Sequence, residues 1–545
     1  MASAVVLLAA AIRWSLAHPF GVHWDESGYL NEVLIDAQRL RSGMVLKFGG
    51  RLLLKAVGRP PAYRFLADPL MAAFGPSTTI ARLSSLIFSA LAGWFIFRSV
   101  RLIGSRAAAG IAAIVFMLSP EIVGATAFLS TDAPLYLATS ALLYYLIRSC
   151  NEPLETSSAW FGIGVSFALG LLSKTSFFLI GFPALLLWFV SATGRKAVRR
   201  YPLFPGKAAA VAMVLALPWW IINFRSSLEY GKYARGFVRN SLGPLSFATW
   251  LKWLNSVWQC LLGHGVSVLV IAVAVACFYS ALRGAKARFD TNRRTALALC
   301  VAAGLPIIII QLTGTNHLLR HISPSIVALA IAIGVLSDQT VFTQSIGWAL
   351  GASLPLLIQL GMIVYPVVAP NSRMVDIGFV NSTVPWHVLA RYDQWDWDPV
   401  YRISTQCNIE SPKIGYLGGG RELNPEAIAY PWVKSVFSTH RSTFAYPDVS
   451  WLWRYEDGPV DWQKLMSASE SRDILITAPG YTGEARVKED RDNQYNSEFV
   501  DRLAADDKFE HRASFNVGRF EPIRIDVFTK KSLNCASSAG VSQNP

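Results

Sequence analysis

The stretch His23-Trp24-Asp25-Glu26-Ser27-Gly28-Tyr29 sets two adjacent carboxylates directly behind the first apolar segment of the chain. Acidic groups at a bilayer boundary are costly unless they line a polar cavity or do chemistry. A further acid, Asp132, stands at a similar boundary in Ser130-Thr131-Asp132-Ala133-Pro134-Leu135. The fold class follows from what lies between and after these acids.

Of 545 residues, 52% are hydrophobic and only 16% charged, with a mean hydropathy of +0.35. The apolar residues gather in blocks near the length of about 20 residues that spans a bilayer. Spans are expected near 2–19, 79–97, 107–120, 132–147, 159–173, 176–192, 208–222, 262–282, 295–312, 322–338 and 345–367. This predicts a polytopic α-helical membrane protein of about 11 transmembrane helices over residues 1–370, the lipid bilayer being its solvent. The net charge of +14 is unevenly spread: 30 basic and 12 acidic residues fall in 1–370, 20 and 24 in 371–545. The basic excess therefore belongs to the membrane part, where it orients helices and meets lipid phosphates. Nucleic-acid binding needs a basic soluble face, and is excluded.

Short basic loops carrying Arg98, Arg101 and Arg106, then Arg195, Lys196, Arg199, Arg200 and Lys207, then Arg283, Lys286, Arg288, Arg293 and Arg294, fall on one side, read as cytoplasmic. Loops 20–78 and 223–261 and everything after about 368 then lie outside. In the loop 20–78, Tyr29–Leu40 and Tyr63–Phe74 have helical apolar spacing and read as helices in the membrane interface. Residues 371–545 carry short apolar runs at 413–417, 473–477 and 523–528 between helical patterns at 385–392, 461–468 and 496–504, which predicts a soluble C-terminal α/β domain. Cys150, Cys277 and Cys300 read as packing residues, while an oxidising compartment would allow Cys407 and Cys535 to pair.

Seven motifs stand in order along residues 1–370. They are Asp25-Glu26 with Tyr29, Arg59-Pro60-Pro61-Ala62-Tyr63, Arg82-Leu83-Ser84-Ser85, Thr131-Asp132-Ala133-Pro134-Leu135, Gly170-Leu171-Leu172-Ser173-Lys174, Leu217-Pro218-Trp219 and Arg320-His321-Ile322-Ser323-Pro324. On these residues the chain resembles the polyprenyl-phosphate-sugar glycosyltransferases of the C-type fold, a group that includes protein O-mannosyltransferases and the lipid A aminoarabinose transferases. Arg59 stands where the family more often has Lys, and His321 where it more often has Tyr. The resemblance implies an inverting transfer of a sugar from a polyprenyl-phosphate donor to a glycolipid, glycan or protein acceptor, on the periplasmic face of a bacterial inner membrane. The rival reading is a polytopic transporter or flippase. It is disfavoured because the acids sit at span ends and no half-repeat is visible.

Each motif has a structural and a chemical reading. Asp25 and Glu26 cap a helix, or supply the base that takes the acceptor proton, with Asp132 in support. The same pair suits a divalent metal held through oxygen. Asp132 also fits a helix start, aided by Thr131. Lys174 either snorkels or joins Arg320, His321 and Arg59 in holding the donor phosphate. Tyr29, Tyr63, Tyr233 and Arg235 are the acceptor-side candidates, the last two on a basic outer segment equally suited to the membrane surface. Gly418-Gly419-Gly420 lacks a dinucleotide fingerprint. The topology carries its own test. A reporter active only in the cytoplasm should be silent when fused after Pro545, and strong activity there would invert the span count.

Overall fold

The computed structural model describes residues 2–17, 24–54, 59–151, 158–237, 247–282, 290–313, 319–338, 354–364, 395–417, 423–439, 446–453, 459–481, 495–518 and 522–536. The helices are α1 (Ala2–Ala17), α2 (Trp24–Arg41), α3 (Val45–Leu54), α4 (Arg64–Phe74), α5 (Thr78–Arg101), α6 (Arg106–Leu118), α7 (Pro120–Ala127), α8 (Asp132–Asn151), α9 (Ala159–Leu171), α10 (Phe178–Val190), α11 (Ala192–Arg200) and α12 (Leu203–Phe237). They continue with α13 (Phe247–Ser256), α14 (His264–Leu282), α15 (Thr291–Thr313), α16 (Ser325–Ser337) and α17 (Leu354–Val364). Each expected span has a helix, in whole or in part. Among the described residues three helices are long and apolar enough to cross a membrane, and up to six spans result if each bent pair counts as one. The pairs bend by 63° between α6 and α7 and by 75° between α10 and α11. Pro120 starts α7, where its missing N–H costs nothing.

The chain divides into two compact units. The first comprises 1–14, 46–67 and 82–387. Within it α8, α9 and α12 pack in series, and α6, α16, α15 and α10 form a second row. One end of that row is tied by Asp338, whose Oδ1 accepts the Ser105 N–H at 2.9 Å and whose Oδ2 meets Arg293 Nη2 at 2.8 Å. The Arg293 Nε–H also donates to the Ile103 carbonyl at 2.8 Å. Half-buried charges are thereby hydrogen-bonded, the condition on which they are tolerated.

The second unit comprises 15–45, 68–81 and 388–545. Its strands β1 (Lys413–Leu417), β2 (Asp448–Trp453), β3 (Ile474–Thr477), β4 (Phe509–Val517) and β5 (Ile523–Lys530) form a five-stranded sheet, order β2-β1-β3-β5-β4. β2, β1 and β3 run parallel, and β5 is antiparallel to both β3 and β4. Helices α18 (Asp398–Gln406), α19 (Pro425–Thr439), α20 (Trp462–Ser469) and α21 (Asn496–Ala505) accompany them. Successive side chains alternate across the sheet. Ile474 and Ile476 enter a core with Ile414, Tyr416, Trp397 and Trp432, whereas Leu475 joins Leu417, Phe499 and Phe528 in another. The apolar runs at 413–417, 473–477 and 523–528 lie on β1, β3 and β5, and the patterns at 461–468 and 496–504 on α20 and α21. The pattern at 385–392 lies outside the described residues. Strands β2 and β4 carry no such run, being only partly buried along most of their length.

One expectation is modified. The polar face of Tyr29–Leu40, expected to be open at the interface, is covered: α2 is buried nearly all round, with Leu30, Val33, Leu34 and Ala37 fully covered and Glu26, Asp36 and Gln38 at 0–1% exposure. Its polar side faces protein instead of solvent, Asn31 Nδ2 donating to the Glu426 carbonyl at 2.8 Å and to Glu426 Oε2 at 3.2 Å. The exposed amphipathic helix of this loop is α3, which has no buried residue and presents Val45, Leu46, Leu53 and Leu54 outward.

Cys407 and Cys535 form a disulfide across a sequence separation of 128 residues. Closing so long a loop restricts the unfolded chain strongly. Replacing both cysteines by Ser should cost the second unit about 2–5 kcal/mol. Denaturant unfolding followed through its tryptophans, with and without a thiol reductant, measures this. The reductant should shift the native chain and leave the double variant where it is.

Candidate active site

In the first unit, Asp132 opens α8 and Lys174 follows α9, and the two side chains meet, Lys174 Nζ lying 2.6 Å from Asp132 Oδ1. They are 20% and 5% exposed. The capping expected of Asp132, aided by Thr131, falls to Ser130, whose Oγ accepts the Ala133 N–H at 3.4 Å and donates to the Ala125 carbonyl at 3.2 Å. The Asp132 carboxylate is thus left to Lys174.

Lys174 is held by a tight turn. Its N–H reaches back to the Gly170 carbonyl at 3.2 Å and its own carbonyl accepts the Phe177 N–H at 3.0 Å. A side chain at position 170 would meet the Phe177 ring at 2.4 Å, so only glycine lets this turn fold onto α9. The Ala62 N–H donates to the Leu172 carbonyl at 2.8 Å, and Ala62, Leu172, Ala216 and Trp219 share one core. Trp220 Nε1 donates to the Leu171 carbonyl at 3.3 Å. Three of the sequence motifs, at 59–63, 170–174 and 217–219, therefore converge on the turn that carries Lys174.

Two further residues join this polar centre without having been singled out in the sequence. Glu121 in α7 is partly buried and feels the charges of Asp132, Arg320 and Lys174. The Tyr136 hydroxyl lies 2.7 Å from Ser323 Oγ. Since Ser323 Oγ–H donates to the Arg320 carbonyl at 2.8 Å, the Tyr136 hydroxyl is the donor in this chain. Tyr136 stands one turn beyond Asp132 on α8, and its hydroxyl links that helix to the turn bearing Arg320 and His321. Helical spacing from Asp132 is the one signal that could have found Tyr136. Glu121 lies in a short helix after a bend that sequence does not show.

Asp25, Glu26 and Tyr29 lie in α2, in the second unit. Asp25 is half-buried and Glu26 fully buried, both in the first turn, where the helix dipole favours negative charge. Ser27 of the same turn lines a hollow of about 10 Å³ with Trp395, Asp396, Trp397, Asp398 and Tyr430. Burial raises Asp396 above the usual carboxylate range, opposed by the Asp398 N–H that it accepts at 2.9 Å. Arg59 is partly buried in the first unit. Tyr29 and Tyr63 are 7% and 1% exposed, so their rings are packed inside rather than open to an acceptor. Tyr233 and Arg235 lie on α12 with side chains outside the described set, as are His23 and Gly418-Gly419-Gly420 altogether. Among the described residues no group of three or more His, Cys, Asp or Glu side chains could hold a metal ion, so Asp25 and Glu26 lack a third such ligand there.

Replacing Lys174 by Met would leave the Asp132 carboxylate buried without its cation. A cost of about 3–5 kcal/mol is expected, as for other broken buried pairs. Thermal unfolding in detergent should show the Lys174→Met/Asp132→Asn double variant recovering part of the loss, because the pair is coupled. Additive single effects would show that the two charges do not depend on each other.

Residues 58–222 match the family model of the dolichyl-phosphate-mannose-protein mannosyltransferases. No curated protein matches the chain in sequence. Among solved structures, ArnT from Cupriavidus metallidurans bound to undecaprenyl phosphate aligns with 96% of this chain and 97% of its own, at 14% identity and a TM-score of 0.53. Its apo state aligns over the same shares at 13% identity and a TM-score of 0.55. The arabinofuranosyltransferase AftD from Mycobacteria aligns with 97% of this chain but only 39% of its own length, at 12% identity and a TM-score of 0.55. The chain is an integral membrane protein with the fold of ArnT and AftD, and it resembles the C-type-fold glycosyltransferases that use polyprenyl-phosphate sugars.

Proposed function

We propose that the protein is an inverting glycosyltransferase that moves a sugar from a polyprenyl-phosphate donor to a hydroxyl of a cell-envelope glycolipid, glycan or protein. The observation that carries this is the polar centre of Glu121, Asp132, Lys174 and Arg320 built among apolar helices. Acids and cations kept together inside a membrane protein are expensive, and they mark sites of ion, proton or phosphate chemistry. The family match over 58–222, which includes Lys174 and Asp132, supports the same reading.

In this mechanism the acceptor oxygen attacks the anomeric carbon as the bond from that carbon to the donor phosphate breaks. The acceptor proton passes to Asp25, with Glu26 and Asp132 in support, and the lipid phosphate leaves with its negative charge. Lys174 keeps two N–H donors beyond the one given to Asp132, and Arg320 offers a planar fork, so both suit that phosphate. Asp132 then serves mainly to fix Lys174. His321 and Arg59 are further candidates for the phosphate. Tyr29, Tyr63, Tyr233 and Arg235 would shape the acceptor side, the first two through packing.

The membrane is taken to be the bacterial inner membrane, with residues 1–370 as the transferase domain and 371–545 as a periplasmic domain. The Cys407–Cys535 disulfide supports an oxidising compartment for the latter.

The full chain, reconstituted in vesicles with an isotopically labelled polyprenyl-phosphate sugar and envelope glycolipid or glycan acceptors, tests this. Asp25→Asn should cut turnover by roughly 10²–10⁴-fold, the scale of a lost general base. Arg320→Ala should weaken donor use more than acceptor use. If Glu26→Gln or Asp132→Asn abolished turnover while Asp25→Asn did not, the base would move to that residue. If all three variants stayed active, the transferase reading would fall.

A further inference from the structure

Helices α9, α10 and α12 of the first unit enclose an apolar groove of about 530 Å³, within the usual range of small-molecule sites of about 300–1,000 Å³. One side of α12 forms its length. Phe204, Ala208, Ala212, Ala216, Trp220 and Phe224 recur every four residues and all line it. At about 1.5 Å per residue this stripe runs about 30 Å, the height of a bilayer's hydrocarbon core. The alanines make a shallow floor. Gly164 of α9 sits so close to α12 that a side chain there would meet the Ala208 carbonyl at 2.6 Å. Aromatic rings make the walls, Phe167 against Phe182 at 5.2 Å between centroids and Trp188 against Phe204 at 5.9 Å. Trp188 is fixed by its indole N–H, which donates to Ser149 Oγ at 2.9 Å.

One end of the groove lies beside a basic helix. Trp188 and Phe189 close α10 and Phe204 begins α12, and between them lies α11, turned 75° from α10. That turn is the attitude of a helix lying along a membrane surface. Ser191 caps it, its Oγ accepting the Gly194 N–H at 3.0 Å. Its buried side is Gly194 and Ala197, while Arg195, Lys196, Arg199 and Arg200 are exposed. Lys207 is exposed on the next turn of the chain, over the Trp160 ring at 5.8 Å. Residues 192–207 hold no acid.

We infer that this groove and α11 together form a binding site for an anionic membrane phospholipid, its headgroup phosphate on the α11 cations and its acyl chains along α12. Charge complementarity fixes the occupant. A neutral lipid would fill the groove equally well but bring no anion to the exposed cations of α11, and a soluble anion would leave the aromatic-walled groove unused. Each basic residue near a charged membrane surface contributes about 1 kcal/mol. Selectivity for the anionic headgroup should thus fall about fivefold for each cation removed. The inference does not depend on the transfer reaction.

The test is lipid titration of the purified, delipidated full chain in neutral detergent, read by native mass spectrometry and by thermal shift. Phosphatidylglycerol should bind and raise the unfolding temperature far more than phosphatidylcholine of the same chain length. Arg195→Gln/Lys196→Gln/Arg199→Gln should remove that preference. Ala209→Trp, which fills the groove from an exposed position, should weaken binding of both lipids while the chain elutes as the native protein does. Equal binding of the two lipids by the native chain would overturn the proposal, as would undiminished selectivity in the triple variant. Stabilisation by inorganic phosphate equal to that by phosphatidylglycerol would reduce the site to an anion patch and also overturn it. Displacement of bound phosphatidylglycerol by equimolar undecaprenyl phosphate would assign the groove to a polyprenyl lipid instead.

Discussion

The first unit depends on the contact between Lys174 and Asp132. Two charges lie 2.6 Å apart at the ends of largely apolar helices. Neither would be tolerated there alone, because burying a single charge costs far more than a hydrogen bond returns. The backbone is arranged to deliver the pair. Gly170 admits Phe177 beneath the turn, Ala62 ties the turn to the double-proline segment, and Ser130 relieves Asp132 of capping. Glu121 and Arg320 extend the pair into a network of two acids and two cations. A cation paired with a carboxylate in this way can be held away from bulk water and still offer N–H donors to an anionic group.

The outline of this arrangement was legible in the chain because hydrophobic blocks and their polar interruptions have a simple physical meaning. Asp132, Lys174 and Arg320 each interrupt an apolar run, and an interruption at that price is informative. The convergence of the motifs at 59–63, 170–174 and 217–219 was hidden, since it rests on a backbone hydrogen bond and small-residue packing that leave no periodic trace. Glu121 was hidden by a 63° bend. The cover over the polar face of α2 was hidden for a related reason. A helix with polar and apolar faces has the same pattern whether its polar face meets water or, as with Asn31 and Glu426, another polar face in protein.

The same ambiguity affects the second unit. Strands β1, β3 and β5 stand out because both faces of the sheet are covered around them, which produces continuous apolar runs. β4 pairs with β5 alone at the sheet's edge, and β2 with β1 alone, so their exposed positions accept polar residues such as Glu510, Asn516 and Asp448. α3, by contrast, has nowhere to hide its leucines, and it turns an apolar ribbon outward from a part of loop 20–78 where no helix was read.

The interleaving of the second unit sets an order of events during synthesis. Asn31 on α2 finds its partner, Glu426, 395 residues later in the chain. At ordinary translation rates of about 5–20 residues per second, that interval is roughly 20–80 s. Throughout it the leucines and buried acids of α2 lack the α19 surface that will cover them. The helix must therefore be sheltered by lipid, by a chaperone or by provisional contacts until α19 arrives. Assembly of this unit is a late, long-range closure, and a chain stalled before residue 425 leaves open the face of α2 that α19 covers in the finished unit.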